Sequence, residues 1–122
     1  MIQLNNLYES RRINMKTGNY KFNHVGVPTD KVQDDEIFFE ELQLYATDPS
    51  NTEYFIEYLR PAEGCTFFPI LLENPHVSLQ VDNLEEALEG ENVVVEPFSP
   101  MPGLRIAFID VNGFIFELAC ND

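Results

Sequence analysis

The pattern of apolar and polar residues predicts four β-strands in the second half of the chain. The four predicted strands are "HVSLQV" (76–81), "NVVVEPF" (92–98), "LRIAFID" (104–110) and "FIFELA" (114–119). Between the first two, "DNLEEALEG" predicts a short helix, with Asn83 as N-cap, Glu86 as its capping-box partner and Gly90 at the C-terminal end. "SPMPG" (99–103) predicts a loop. The predicted order is therefore β-α-β-β-β.

The first half shows a similar but shorter order of elements. Its predicted strands are "YKFNHVGV" (20–27), "LQLYAT" (42–47) and "TEYFIEYLR" (52–60). The acidic segment 29–41 is compatible with a short helix or an irregular crossover, and the strand expected between Thr29 and Leu42 is hard to find. Residues 61–75 bridge the two halves, and their central apolar part is compatible with a strand.

The two halves match when one is laid over the other. "HVGVPTD" begins one and "HVSLQVD" the other, and each half ends with a strand, an Asp-containing turn and a strand that holds a Glu among apolar residues. The repeat predicts an α+β fold in one domain from residue 20 onwards, with module 1 at about 20–60, a linker at 61–75 and module 2 at about 76–119. Residues 1–19 are interpreted as an extension, either poorly ordered or contacting a dimer partner.

The charge balance limits the partners of the protein. Seven basic residues face 21 acidic ones, a net charge of -14, so no nucleic acid is expected, because phosphates are bound by clustered cations. Anionic membranes are disfavoured for the same reason. No apolar run is long enough for a transmembrane helix, and no secretory signal is evident, so a cytoplasmic location is expected. Cys65 and Cys120 lack CxxC spacing and are interpreted as reduced structural thiols.

Each half begins with a His and ends with a Glu, which makes His24, Glu57, His76 and Glu117 the candidate site residues. A buried, unpaired carboxylate in an apolar strand costs several kcal/mol, and a bound cation removes that cost. Two imidazoles and two carboxylates suit one divalent metal ion such as Zn, Ni, Co, Mn or Fe. A single His or Glu at such a place is more often hydrogen-bonded or exposed. The metal hypothesis therefore depends on the recurrence of the same residue types in both halves.

"NHVGV", "YFIEYL", "PHVSLQVDNLEEAL" and "RIAFIDVNGFIFEL" together resemble the vicinal oxygen chelate superfamily over about residues 21–119. This superfamily includes glyoxalase, bleomycin-resistance proteins, extradiol dioxygenases and methylmalonyl-CoA epimerase. The resemblance implies paired βαβββ modules whose mixed sheet curls around a cleft, usually in a homodimer. It also implies metal ligands on the first and last strands of each module, which by position are His24, Glu57, His76 and Glu117.

The resemblance further implies a metal-dependent isomerase, lyase or epimerase that acts on a small molecule. In such enzymes the metal chelates two adjacent substrate oxygens and stabilises an enolate or enediolate, and here Glu57 or Glu117 is the candidate base. Four protein ligands leave about two octahedral positions open for that chelation. Glu57 argues against the extradiol dioxygenases, which use two His and one Glu. The small number of cationic residues, Arg60 and Arg105 among them, gives no support to glutathione as a cofactor.

Two other functions stay open at this stage. A binding protein of the bleomycin-resistance type would sequester a small molecule in a cleft, which Tyr54, Tyr58, Phe98 and Met101 could line, although ordinary packing is the simpler interpretation of these four. Such a protein does not need an intact set of metal ligands. A structural dimeric module without chemistry would leave a buried Glu117 unexplained.

Overall fold

Eight strands and two short helices make up the fold of the computed structural model, which describes residues 20–121. The strands are β1 (Lys21–Pro28), β2 (Ile37–Phe39), β3 (Leu44–Ala46), β4 (Ile56–Pro61), β5 (His76–Gln80), β6 (Asn92–Met101), β7 (Leu104–Val111) and β8 (Phe114–Asn121). The helices are α1 (Pro69–Glu73) and α2 (Leu84–Leu88), and a 3-10 turn spans Pro49–Asn51. The extension predicted at 1–19 lies outside the described residues.

All eight strands form one mixed, curled sheet in the order β2-β3-β4-β1-β5-β8-β7-β6. β1 pairs in parallel with β4, β5 pairs in parallel with β8, and the other neighbours are antiparallel. The order of strands is symmetrical about the junction of β1 and β5. The α+β fold class predicted from the repeat and the curled, glyoxalase-like sheet implied by the resemblance are therefore confirmed.

The alternation along the strands divides the core between the two faces of the sheet, as a period of two requires. Ile106 and Phe108 of β7 belong to a cluster on one face, together with Ile115 and Ala119 of β8. Ala107, next along β7, belongs to a second cluster on the opposite face, which packs against α2. The candidate residue Glu117 lies between Ile115 and Ala119 in the alternation, so it projects from the first face.

One open alternative is decided, and two predictions about local structure are wrong. Residues 29–36 form the irregular crossover and contain no helix, and the strand that was hard to find is β2 at Ile37–Phe39. The first half therefore differs from the second by its missing helix. The bridge between the halves contains the helix α1, not a strand. The "SPMPG" loop is only a short turn, because β6 continues to Met101.

The helix predicted after the second histidine strand is confirmed as α2. The Glu86 amide donates a hydrogen bond of 2.9 Å to Asn83 Oδ1, which is the N-cap interaction expected from the sequence. Gly90 follows the helix with a φ of +75°, a conformation that glycine adopts without strain. Within residues 20–121 no helix is long and apolar enough to cross a membrane.

Candidate metal centre

The four central strands of the sheet bring together all four residues singled out from the sequence. These residues are His24 on β1, Glu57 on β4, His76 on β5 and Glu117 on β8. In the parallel pair β1–β4, Glu57 is opposite Gly26, two residues after His24. In the parallel pair β5–β8, Glu117 is opposite Ser78, two residues after His76. The strand register of the site is therefore the same in the two halves.

The antiparallel junction of β1 and β5 brings the two histidines together. Across it, His24 is opposite Ser78 and Gly26 is opposite His76. A Cβ atom added at Gly26 would lie 2.0 Å from Cε1 of the His76 ring, closer than any real contact allows. Because Gly26 has no side chain, the His76 imidazole has room to occupy this position.

The distances define a close group of three ligand atoms with a fourth beside it. One ligand atom each from His24, Glu57 and His76 lies within 4.8 Å of the other two. His24 Nε2 is 3.6 Å from Glu57 Oε1 and 3.7 Å from Glu117 Oε1. Glu117 therefore adjoins the group through His24.

Both histidines carry buried nitrogen atoms that have no hydrogen-bond partner within residues 20–121. These atoms are His24 Nε2 and both ring nitrogens of His76. His24 Nδ1 is 2.6 Å from Asn23 Oδ1, and because that amide oxygen only accepts, Nδ1 carries the proton. The lone pair of His24 Nε2 is then free to bind a cation. Buried polar atoms are rarely left unpaired, so the three nitrogens indicate a group that binds here.

Ser78 holds the carboxylate of Glu117. Its side chain is fully buried, and its hydroxyl donates a short hydrogen bond of 2.5 Å to Glu117 Oε1. Asn23 plays a similar part for His24, since outer partners of this kind orient metal ligands. Gly26, Ser78 and Asn23 were not singled out from the sequence. The position two residues after each histidine is the signal that could have found Gly26 and Ser78.

Burial controls the charge of the site when no cation is bound. Burial lowers the pKa of His24 to about 4, and burial together with the neighbouring His24 lowers the pKa of His76 to about 4. Burial is the main cause that raises the pKa of Glu57 to about 8, and the charges of Glu117 and Asp48 add to the rise. Burial also raises the pKa of Glu117, and the Ser78 hydrogen bond opposes that rise.

The donor set fits a divalent metal ion on these grounds. The imidazoles are neutral, as metal binding requires, and no Lys or Arg within residues 20–121 forms an ion pair with either carboxylate. His76 also packs edge-on against Phe108, with ring centroids 5.5 Å apart, which limits the movement of the imidazole. A divalent ion would stabilise the ionised carboxylates that burial disfavours.

A cavity of about 260 Å³ opens beside the site, between the two halves of the sheet. His24, Glu57 and Glu117 line it together with mainly apolar side chains, and Met101 lies at its wall as expected for a cleft residue. Tyr54, by contrast, is 75% exposed, and neither Tyr54 nor Tyr58 lines this cavity. Cys65 and Cys120 are free thiols, as predicted.

Solved structures that share this fold include the following two. A hypothetical protein, BH1468 from Bacillus halodurans C-125, matches with a TM-score of 0.60 and 16% identity, over 84% of this chain and 95% of that one. Methylmalonyl-CoA epimerase from Mycobacterium tuberculosis matches with a TM-score of 0.58 and 17% identity, over 84% of this chain and 88% of that one. At these identities the likeness shows the fold. No protein-family model and no curated protein sequence matches the chain.

Proposed function

We propose that the protein is a metal-dependent enzyme of the vicinal oxygen chelate superfamily, acting as an isomerase, lyase or epimerase on a small oxygenated molecule. The observation that supports this proposal most strongly is the set of three buried imidazole nitrogens, without a hydrogen-bond partner among the described residues, beside two largely buried carboxylates. A structural module has no need for such a group, because buried unpaired nitrogens and carboxylates reduce its stability. The epimerase among the structural neighbours supports the same class of reaction.

His24, His76 and Glu57 would hold the metal ion, and Glu117 would complete the ligand set. The ion, when bound, supplies a Lewis acid that withdraws electrons from a substrate carbonyl. The apolar wall of the cavity excludes water from the substrate and strengthens electrostatic interactions within it. The identity of the ion among Zn, Ni, Co, Mn and Fe stays open in this proposal.

Glu117 is our candidate for the proton transfer. It lies outside the close group of three ligand atoms, and Ser78 fixes the orientation of one of its oxygens. Burial raises the pKa of its carboxyl group, which makes it a stronger base when ionised and suits a group that takes and returns a proton. In the reaction, Glu117 removes a proton from the carbon next to the carbonyl, and the electron pair of that C–H bond forms the enolate double bond. Return of the proton to the other face or to the adjacent atom gives the product.

A binding protein of the bleomycin-resistance type is the second candidate. Apolar side chains predominate in the wall of the cavity, which would suit simple sequestration of a ligand. The two candidates differ in whether the protein exchanges a substrate hydrogen with solvent. The homodimer and the cytoplasmic location remain predictions, and light scattering tests the first.

Solvent exchange tests the proposed chemistry without knowledge of the final product. The metal-loaded protein is incubated in D₂O with 2-oxo acids, hydroxyketones and acyl thioesters, and proton NMR follows the hydrogen next to the carbonyl. We expect saturable exchange in one class of compound, lost on chelation and in Glu117→Gln, but retained in Glu53→Gln, whose carboxylate is exposed. Binding of a compound in that series without any exchange would favour the sequestering function instead.

A further inference from the structure

A second cavity of about 680 Å³ continues from the one beside the candidate metal centre. We call it the aromatic groove, because five phenylalanines line it: Phe38, Phe39, Phe67, Phe68 and Phe98. The two cavities share four wall residues, namely Phe39, Leu42, Phe67 and Pro100. A ligand at the metal centre can therefore extend into the groove without leaving the protein.

The groove lies between the two edge strands of the sheet, β2 and β6. Phe68, before α1, bridges its wall, with ring centroids 5.5 Å from Phe67 and 5.4 Å from Phe98 on β6. On the β2 side, Phe38 and Phe39 remain 41% and 43% exposed. Exposed aromatic side chains that are contiguous around a concave surface are typical of a binding site.

The charges along the groove exclude one class of ligand. The charged residues that line the two cavities are Glu40, Glu41, Glu57 and Glu117, and no Lys or Arg of the described chain lines either one. Arg60 on β4 forms an ion pair with Glu36, and Arg105 forms one with Glu85. A phosphate or carboxylate in the groove would meet only like charge.

We propose that the aromatic groove binds the tail of the substrate, and that this tail is a planar aromatic group carrying a positive charge or none. The head of the same molecule presents two adjacent oxygens to the metal centre, so the inference rests on the proposed function. Phenylalanine rings bind aromatic groups by edge and offset stacking and attract cations at their faces. Glu40 and Glu41 at the rim favour the cation further.

Hydroxamates test the groove separately from the metal centre, because each chelates a metal through two oxygens whatever its tail. The protein loaded with Ni²⁺ is titrated calorimetrically with acetohydroxamate and with biphenyl hydroxamates bearing no charge, a trimethylammonium group or a carboxylate. We expect the neutral and cationic biphenyl compounds to bind at least about 10-fold more tightly than acetohydroxamate. The carboxylate compound should lose most of that gain.

Variants test whether the affinity gained from the biphenyl tail comes from the aromatic groove. Phe68→Ala should remove most of the advantage of the biphenyl tail and leave acetohydroxamate binding unchanged, which also shows that the variant is folded. Phe114→Ala is the matched control: Phe68 and Phe114 are 37% and 39% exposed and each contacts another phenylalanine, but Phe114 lines neither cavity. Glu41→Lys should strengthen binding of the carboxylate compound.

The outcomes separate the two proposals. If acetohydroxamate binds but the biphenyl tail adds nothing, or if the carboxylate compound binds as tightly as the neutral one, the groove inference is wrong and the metal centre stands. The groove inference would also be wrong if Phe114→Ala and Phe68→Ala reduced the affinity gained from the biphenyl tail equally. If acetohydroxamate fails to bind the Ni²⁺-treated protein, the proposed function fails, and the groove inference fails with it.

Discussion

The two halves of the molecule place their site residues in the same register but connect their strands differently. In the second half, α2 follows the histidine strand and packs its buried Leu84 and Ala87 against the sheet. In the first half, residues 29–36 follow the histidine strand without a helix. Even so, each glutamate lies opposite the residue two positions after its histidine. The site therefore depends on strand pairing and not on the crossover.

An ion pair stabilises the crossover of the first half in place of a helix. Arg60 on β4 donates to both carboxylate oxygens of Glu36, and its guanidinium lies 4.0 Å from the centre of the Tyr45 ring. The hydrogen bonds from Arg60 hold the pKa of Glu36 below its usual range. A short irregular segment is thus anchored to the same strand that carries Glu57.

The largest effect that we expect comes from comparing the two glutamates. Glu117→Gln should lower the rate of solvent exchange by about 10²–10⁴-fold, the usual contribution of a general base, while most of the metal is retained. Glu57→Gln should instead weaken metal binding more than Glu117→Gln does, because Glu57 belongs to the close group of ligand atoms. Single-turnover exchange rates and metal titrations measure the two effects. If the two variants lost exchange rate and metal affinity to the same extent, the two carboxylates would not have the different roles that we propose.

Gly26→Ala tests the junction of the halves. Its added methyl group would overlap the His76 ring and displace it, so we expect exchange to fall about 100-fold, as for a misplacement of about 1 Å. Circular dichroism should show the sheet intact. A folded Gly26→Ala protein with full metal affinity and full activity would mean that the position of His76 does not matter.

Ser78→Ala tests the equivalent position in the other half. The variant removes the hydrogen bond to Glu117 and leaves His76 in place. We therefore expect the rate of solvent exchange to fall about 10-fold, which is the lower end of the effect of mutating an outer partner of a metal ligand. The pH profile of exchange should also shift to higher pH, because the hydroxyl lowers the pKa of Glu117. Ser78→Thr, which keeps the hydroxyl, should restore the profile.

The smallest effect concerns the stability of the metal-free protein. Glu57 titrates near 4.5 when unfolded but at about 8 when folded, so its contribution to stability is present below pH 4.5 and is lost as the pH rises towards 8. The pKa values of His24 and His76 are about 4 in the folded protein, below the ordinary 6.5. Their contribution to stability therefore rises with pH, up to about pH 6.5. Between pH 6.5 and 8 we therefore expect the free energy of unfolding to fall by roughly 1.5 kcal/mol on account of Glu57.

Urea denaturation in the presence of a chelator measures this fall. Glu57→Gln should reduce the fall of the unfolding free energy with pH. Glu53→Gln, whose side chain is exposed, should leave that fall unchanged. Added metal should reverse the slope, because it favours the ionised carboxylates. A wild-type curve that rises between pH 6.5 and 8 without metal would contradict the burial of Glu57.

The pattern of apolar and polar residues predicted the longer strands, because their successive side chains alternate between the two faces of the sheet. β2 escaped prediction because all three of its residues are exposed, so Ile37–Phe39 carries no alternation. α1 was compatible with a strand because five residues, mostly apolar, show no period. Its helical start comes from Pro69 at the first helical position, after Phe68 in an extended conformation.

The four candidate ligands could be found from sequence because they recur in both halves. Gly26 and Ser78 share a position two residues after each histidine, but their roles were not predicted because these arise between strands: Gly26 makes room for a ring on β5, and Ser78 donates to a carboxylate on β8. Cross-strand register is a property of pairing, which the pattern within one strand does not contain. The aromatic groove was missed for the same reason, since its phenylalanines come from separate segments.

Metal stoichiometry tests the central claim most directly. Protein purified without chelators is equilibrated in turn with Zn²⁺, Ni²⁺, Co²⁺, Mn²⁺ and Fe²⁺, desalted and analysed by plasma mass spectrometry. We predict about one ion per chain for at least one metal in the wild type and in Glu53→Gln, and nearly none in His24→Ala and His76→Ala. A wild-type protein that retains none of the five metals, or a His76→Ala variant that retains as much as the wild type, would contradict the metal centre.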